Sequence, residues 1–363
     1  MKIIIDDKIP YIKEAAEKIA EEVIYAPGKD FTRKLVQDAD ALIIRTRTHC
    51  NRELLEGSKV KFIATATIGF DHIDTEYCKQ AGIEWANAPG CNSASVAQYI
   101  QSSLLIWKSL RNKKPDELTI GIIGVGNVGS KVAKVAQDFG MRVLLNDLPR
   151  EEKEGNITFT SLEKIAEECD IITFHVPLYK EGKYKTFHLA DEAFFRSLKR
   201  SPIIINTARG EGIETAALLK ALQTGLISDA VIDVWENEPD INLTLLYKVF
   251  IGTPHIAGYS ADGKANATRM SLDSLCRHFG IQADYHIAPP EPENPIIIAS
   301  TPTEAYLKMY DPRKDCEALR AHPDFNCGSI SLARSIGPDR NFMKKSIYIM
   351  KSARFSSGSS SFQ

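Results

Sequence analysis

Apolar residues along the 363-residue chain fall in short runs, separated by longer stretches in which they recur with helical spacing. Short runs bounded by polar segments read as buried strands, and the spaced stretches as helices packed over them. In the first ninety residues this predicts strands over Lys2–Ile5, Ala41–Ile44 and Phe62–Ala64, with another around Glu84 and Trp85. Helices are expected over Tyr11–Glu22 and Asp74–Gln80, and Asn51 caps a short one through Leu54 and Leu55. A long helix is expected over Ser93–Leu110, broken by the charged segment Arg111–Glu117 with its Pro115.

From Leu118 the alternation restarts. Strands are predicted at 119–123, 142–146, 170–174, 202–206, 229–233 and 249–252. Helices are predicted at Val128–Phe139, Leu162–Glu168, Asp191–Leu198 and Thr215–Gln223, and a last one at Ala261–Phe279. Strands alternating with helices imply parallel sheets with helices on both faces. Four prolines between Pro289 and Pro295 mark a linker. A strand candidate at Ile296–Ala299 and mixed pieces up to about Ile349 suffice for a small α+β domain, and the serine-rich end reads as frayed. The expected class is therefore α/β, with two doubly wound parallel-sheet domains, one flavodoxin-like and one Rossmann, plus a small α+β C-terminal domain.

Composition narrows the chemistry. A net charge of -2 and the lack of a basic block give no electrostatic reason to expect nucleic acid as a partner. No run of 18 apolar residues occurs, and the start MKIIIDDKIP runs straight into a strand without a signal core. Seven cysteines without CxxC pairing read as reduced thiols, so a cytoplasmic protein without a membrane span is expected. No HxxxH or HExxH pair calls for a metal.

The strongest local signal is Gly124, Gly126 and Gly129 in GxGxxG spacing, after a predicted strand and before a helix. The first glycine permits the tight turn, the second removes a side chain that would block a pyrophosphate, and the third lets helix and strand pack closely. With Asn127 and Val128 they open the helix whose unpaired N–H groups would receive the phosphates. Asp147, eighteen residues after Gly129, suits the adenosine ribose and would repel a 2′-phosphate, which favours NAD over NADP. Asp147 read alone is also an ordinary strand-end turn residue, and Arg150 nearby is the one feature that would suit NADP.

Three polar residues follow successive later strands: Arg209, Glu238 and His255. A guanidinium grips a carboxylate through two parallel hydrogen bonds. Histidine takes up a hydroxyl proton near neutral pH, and a carboxylate on its other nitrogen fixes the tautomer. Glu236 competes with Glu238 for that place, and periodicity does not choose between them in a loop. Asp233 stands near the nicotinamide in this reading, and His175 packs near the cofactor without carrying protons. Taken singly, each of these also serves as a cap, a surface ion-pair residue or a core histidine.

Together, the segments around Gly124–Gly129, Asn206–Gly210, Asp233–Pro239 and Thr253–Tyr259 resemble, in order and spacing, the D-isomer-specific 2-hydroxyacid dehydrogenase family over about residues 1–286. The resemblance implies that Arg209 binds and polarises the substrate, Glu238 pairs with His255, and His255 is the acid/base. It implies cofactor contacts at Asp147, Val176, Thr207, Ala208, Arg209, Asp233 and Gly258, and substrate contacts at Thr46, Thr67 and Tyr259. It also implies a discontinuous substrate domain (1–94 and 261–286), an NAD-binding domain (95–260) and a C-terminal domain (287–363) that makes a homodimer. Further stretches at 88–92, 173–178, 184–191, 255–260 and 310–315 resemble the branch acting on 4-phosphoerythronate. Arg45 and Arg47 are candidates for its terminal phosphate by their strand-end placement. A sibling acting on 3-phosphoglycerate or glycerate, or an NAD-sensing interaction protein on the same fold, are the alternatives.

Overall fold

A computed structural model describes residues 1–155, 158–291 and 296–322. Among these residues the chain divides into two compact units: 1–92 with 260–291, and 93–259 with 296–322.

The first unit begins β1 (Lys2–Asp6), α1 (Lys13–Glu17), β2 (Glu22–Ala26), α2 (Arg33–Val36), β3 (Ala41–Ile44), α3 (Arg52–Leu55), β4 (Phe62–Thr65), α4 (Thr75–Ala81) and β5 (Glu84–Ala86). All five strands are parallel, in the order β2-β1-β3-β4-β5. That is the flavodoxin-like order, reversing direction between β1 and β3. One expectation fails here. The helix foreseen over Tyr11–Glu22 stops at Glu17, and Glu22 opens β2 instead. The β-branched and aromatic run Val23, Ile24, Tyr25 favours a strand, and the edge of β1 supplies its hydrogen-bond partners. Asn51 caps α3 through Leu54 N at 3.1 Å, and Asp74 caps α4 through Tyr77 N at 2.9 Å.

The second unit runs α5 (Ser93–Leu110), β6 (Thr119–Ile123), α6 (Asn127–Asp138), β7 (Arg142–Asn146), α7 (Leu148–Glu154), α8 (Leu162–Glu168), β8 (Ile171–Phe174), α9 (Glu192–Ser197), β9 (Ile203–Asn206), α10 (Thr215–Thr224), β10 (Asp229–Ile232), α11 (Leu243–Lys248) and β11 (Ile251–Gly252). Its six parallel strands are ordered β11-β10-β9-β8-β6-β7, with the reversal between β6 and β8. Ligands of open α/β sheets bind outside the carboxyl ends of strands at such a reversal.

The long helix α12 (Ala261–Phe279) returns to the first unit, where Ala265, Leu272 and Leu275 pack with Ile3, Ile5, Phe62 and Ala64 on one sheet face. The other face joins Ile4, Leu42, Ile44 and Ile63 to α3 and α4. Alternate residues of one strand thus fill opposite cores, which is why these strands read as unbroken apolar runs.

The C-terminal part departs from expectation. Ile296–Ala299 forms no strand, and Ile296 and Ile298 are exposed. Two helices follow, α13 (Pro302–Met309) and α14 (Pro312–Ala321). They pack into the cores of the second unit: Leu307, Tyr310 and Cys316 join the cluster of α5 and α6, and Leu319 the cluster of α9, α10 and α11. Gly252 N, on edge strand β11, donates to Cys316 Sγ at 3.3 Å. Arg320 donates to Leu246 O and Val249 O. A segment placed in a separate C-terminal domain by sequence thus covers an otherwise open sheet edge. The remainder of that domain, 323–363, with its expected strands and serine-rich end, lies outside the described residues.

Since α12 completes the first unit's core, Leu272→Ala, at a fully buried position, lowers stability by about 2–5 kcal/mol. Urea unfolding followed by circular dichroism measures the loss.

Candidate active site

Each strand of the second unit delivers a polar loop to the same sheet edge, because all six are parallel. After β6, Gly124 turns at φ +88°, and a Cβ there would lie 2.7 Å from the carbonyl of His175. A Cβ on Gly129 would lie 1.9 Å from Gly124 O, so the first turn of α6 sits directly on the turn that precedes it. Gly126 differs: a Cβ there meets nothing within 4 Å. Packing thus requires Gly124 and Gly129 but not Gly126, whose bareness leaves space above the N-terminus of α6. Asn127 and Val128 form the first helical positions.

After β7, Asp147 Oδ2 accepts from Val125 N at 2.8 Å, and Oδ1 caps α7 through Arg150 N at 3.1 Å. It therefore holds the glycine turn as well as ending the strand. The Arg150 guanidinium is committed to Val125 O at 2.6 Å and to Glu154 at 2.8 Å, which removes it as a ready partner for a 2′-phosphate.

After β8, His175 Nε2 meets Thr173 Oγ1 at 3.0 Å, and burial pushes the imidazole pKa down to about 3. The ring is neutral at physiological pH, and Val176 follows against the Gly124 turn. After β9, Asn206 Oδ1 accepts from Ala208 N and its Nδ2 donates to Arg209 O, which fixes the turn Thr207–Arg209. Thr207 Oγ1 is buried with no hydrogen-bond partner among the described residues, which leaves a polar atom to be met by a ligand or water. Arg209 is exposed and donates from Nη1 to Ala208 O at 2.8 Å. Gly210 follows because a Cβ there would lie 2.0 Å from the Trp235 carbonyl.

After β10 the loop supplies both candidate glutamates, and the geometry separates them. Glu238 Oε2 lies 2.8 Å from His255 Nδ1, while its Oε1 accepts from Trp235 N at 2.7 Å. Glu236 turns to His188 Nε2 at 2.6 Å and accepts from Thr215 N at 3.0 Å. Burial raises the Glu236 pKa, but the bonds from His188 and Thr215 outweigh it and the net shift is downward. A carboxylate only accepts, so Nδ1 carries the proton in the His255–Glu238 contact.

Asp233 is fully buried. Its Oδ1 accepts from Thr253 Oγ1 at 2.5 Å and Ile256 N at 2.9 Å, and its Oδ2 accepts from Ala257 N at 2.9 Å. Burial raises its pKa, against the opposing effects of His255 and these hydrogen bonds. Expected beside the nicotinamide, Asp233 is at the least the anchor of the 253–257 loop. His255 itself adopts φ +54°, a left-handed conformation held by its N–H to Asp233 O at 2.7 Å. Gly258 and Tyr259 close the unit, with Tyr259 N donating to Ile256 O at 2.8 Å.

In the first unit, Arg45, Thr46 and Arg47 follow β3, and Thr67 follows β4. Thr67 Oγ1 donates to Gly69 O at 2.8 Å, so the contact with Thr65 Oγ1 at 2.7 Å has Thr65 as donor. His72 Nε2, 3.0 Å from Thr65, must then be its donor, and burial lowers the His72 pKa. Thr46 is exposed. No group of three or more His, Cys, Asp or Glu side chains among the described residues suits a metal, and none of their helices is long and apolar enough to cross a membrane.

Residues 95–257 match the family model for the D-isomer specific 2-hydroxyacid dehydrogenase, NAD binding domain. Over 324 residues the chain is 84% identical to erythronate-4-phosphate dehydrogenase of Bacteroides thetaiotaomicron, covering 89% of this chain and 93% of that one. The chain belongs to the erythronate-4-phosphate dehydrogenase family. A more distant member, from Porphyromonas gingivalis, is 43% identical over 331 residues, covering 89% of each chain. Among solved structures, the D-lactate dehydrogenase of Aquifex aeolicus complexed with NAD and lactic acid is similar at 27% identity. Its TM-score is 0.61, over 77% of this chain and 96% of that one. D-2-hydroxyisocaproate dehydrogenase is similar at 26% identity and a TM-score of 0.64, over 78% and 98%. NAD is the cofactor of this family, and the bare Gly126, the N-terminus of α6 and the orphaned Thr207 hydroxyl fit it.

The glycines divide by role in a measurable way. Gly129→Ala costs about 1–3 kcal/mol of stability through overpacking, whereas Gly126→Ala stays within about 0.5 kcal/mol of the parent. Urea unfolding of the two variants side by side tests the contrast.

Proposed function

We propose that this chain is a cytoplasmic NAD-dependent dehydrogenase that oxidises 4-phospho-D-erythronate at C2. The product is (R)-3-hydroxy-2-oxo-4-phosphobutanoate, on the route to pyridoxal 5′-phosphate. The observation that carries this reading is the 2.8 Å pair of Glu238 and His255 on the sheet edge that also bears Arg209. It stands in a chain 84% identical to an enzyme named for that substrate.

NAD held at this turn would supply the acceptor for the hydrogen and electron pair that leave C2. The chain's own residues manage the charge. Gly124, Gly126 and Gly129 shape the turn, and the N–H groups of Asn127 and Val128 at the start of α6 would hold the pyrophosphate. Asp147 receives the ribose hydroxyls, and His175, Val176, Thr207, Ala208, Asp233 and Gly258 complete the contacts. Arg209 binds the substrate carboxylate with the donors that it does not spend on Ala208. His255 Nε2 takes the C2 hydroxyl proton as the C–H bond breaks, and Glu238 stabilises the imidazolium formed. In the reverse direction Nε2 returns that proton. Thr46, Thr67 and Tyr259 contact the substrate. Because the Thr67 proton is given to Gly69 O, this hydroxyl serves as an acceptor for a substrate hydroxyl. Arg45 and Arg47 serve the terminal phosphate. The reading includes a homodimer formed through 287–363, for which the family resemblance is the support, and no metal.

Anaerobic incubation of pure protein with NAD, 4-phospho-D-erythronate and a 2-oxo acid as recycler yields the 2-oxo product by mass. His255→Ala lowers kcat about 10²–10⁴-fold. Folded protein that binds NAD and yields no such product would redirect the assignment to 3-phosphoglycerate or glycerate. Gly126→Ala, which folds normally, raises the Kd for NAD by at least about tenfold, since its Cβ enters the pyrophosphate space.

A further inference from the structure

Thr253 lies two residues before His255, is fully buried, and uses every polar atom it has. Its N–H donates to Ile232 O at 2.9 Å, and its carbonyl accepts from Trp235 Nε1 at 2.9 Å and His255 N at 3.1 Å. Its hydroxyl donates to Asp233 Oδ1 at 2.5 Å. A hydroxyl has one proton, so the 2.7 Å contact between Thr253 Oγ1 and Tyr99 OH has the tyrosine as donor. Burial pushes the Tyr99 pKa well above its usual value, which keeps that proton in place.

The result is a directed chain, Tyr99 to Thr253 to Asp233, inside an apolar core. Asp233 in turn receives the N–H groups of Ile256 and Ala257, immediately after His255. Buried hydroxyls and carboxylates are costly unless fully bonded, and this set is satisfied only with the loop in one conformation. That conformation includes the left-handed φ of His255, an uncommon one for a residue with a side chain, held here by its N–H bond to Asp233 O.

We infer, resting on the reading of His255 as the proton carrier, that Thr253 and Tyr99 are positioning residues that set the His255 imidazole through the buried Asp233 carboxylate. Neither needs to touch substrate. A role in packing alone predicts a different pattern of substitutions, and the two are separable at one position. Thr253→Val keeps the volume and loses the hydroxyl, whereas Thr253→Ser keeps the hydroxyl and loses a methyl group.

The test compares both variants, as full chains with NAD bound, by steady-state kinetics and by the imidazole ¹H–¹⁵N spectrum. The His255 signal is assigned by its loss in His255→Ala. Thr253→Val is expected to lower kcat at least about tenfold, the scale of a misoriented catalytic group, to leave KM for the acid within about threefold, and to shift the His255 ring signal. Thr253→Ser restores kcat and ring signal to near the parent. A valine variant with parental kcat and ring signal overturns the inference, as does a serine variant that falls as far as valine. If Thr253→Val does not fold, Tyr99→Phe replaces it: a shifted ring signal with lowered kcat supports the role, and an unshifted one overturns it. The ring signal needs no substrate. If the parent protein itself fails to oxidise 4-phospho-D-erythronate, the functional reading fails while the spectrum still decides the positioning.

Discussion

A carboxylate buried under the 253–257 loop dictates much of the second unit. Asp233 is out of contact with water, so its oxygens must be met by donors, and the nearest available ones are a hydroxyl and two successive backbone N–H groups. Meeting them bends 253–257 into a turn, and the turn sets the direction of the His255 side chain. Trp235 and Glu238 follow on from the same strand, so one chain segment supplies the anchor, the lid over Thr253 O and the imidazole's partner. Removing any one of these leaves a buried polar atom unsatisfied, which costs more than the lost bond itself.

Pairs of close backbones serve the same end. Gly210 allows the turn after Arg209 to lie against the Trp235 carbonyl, and Glu236 ties the loop after β10 to His188 and to the start of α10. The loops that carry Arg209 and Glu238 are therefore joined at several points, and the spacing of their functional groups is set by strand pairing below and these links above. Such links hold charged groups in place without reorganisation.

Much of this was legible in the sequence. The β6 turn, the helices α5 and α12 and the strands of the second unit follow from period and from glycine spacing, which are local properties. The β2 strand was not legible because Glu21 and Glu22 continue a helical pattern, and only the free edge of β1 decides against it. The choice between Glu236 and Glu238 was open to periodicity because both lie in a loop, and partners brought from positions 188 and 255 separate them. The role of Tyr99 is invisible in the sequence, since its partner lies 154 positions away and a tyrosine in an apolar helix reads as core. The same holds for α14, whose docking on β11 depends on an edge strand that the sequence leaves unmatched.

The order of segments along the chain has a consequence for synthesis. The first unit starts the chain, stops at 92 and is finished by α12, while the second starts at 93, stops at 259 and is finished by α13 and α14. The two are interleaved, and neither is a single uninterrupted stretch of polypeptide. During translation the first sheet emerges without the helix that covers one of its faces and waits for some 170 further residues, on the order of ten seconds or more at usual rates. Its Ile3, Ile5 and Phe62 face stays uncovered for that time, an apolar surface open to other chains until α12 arrives.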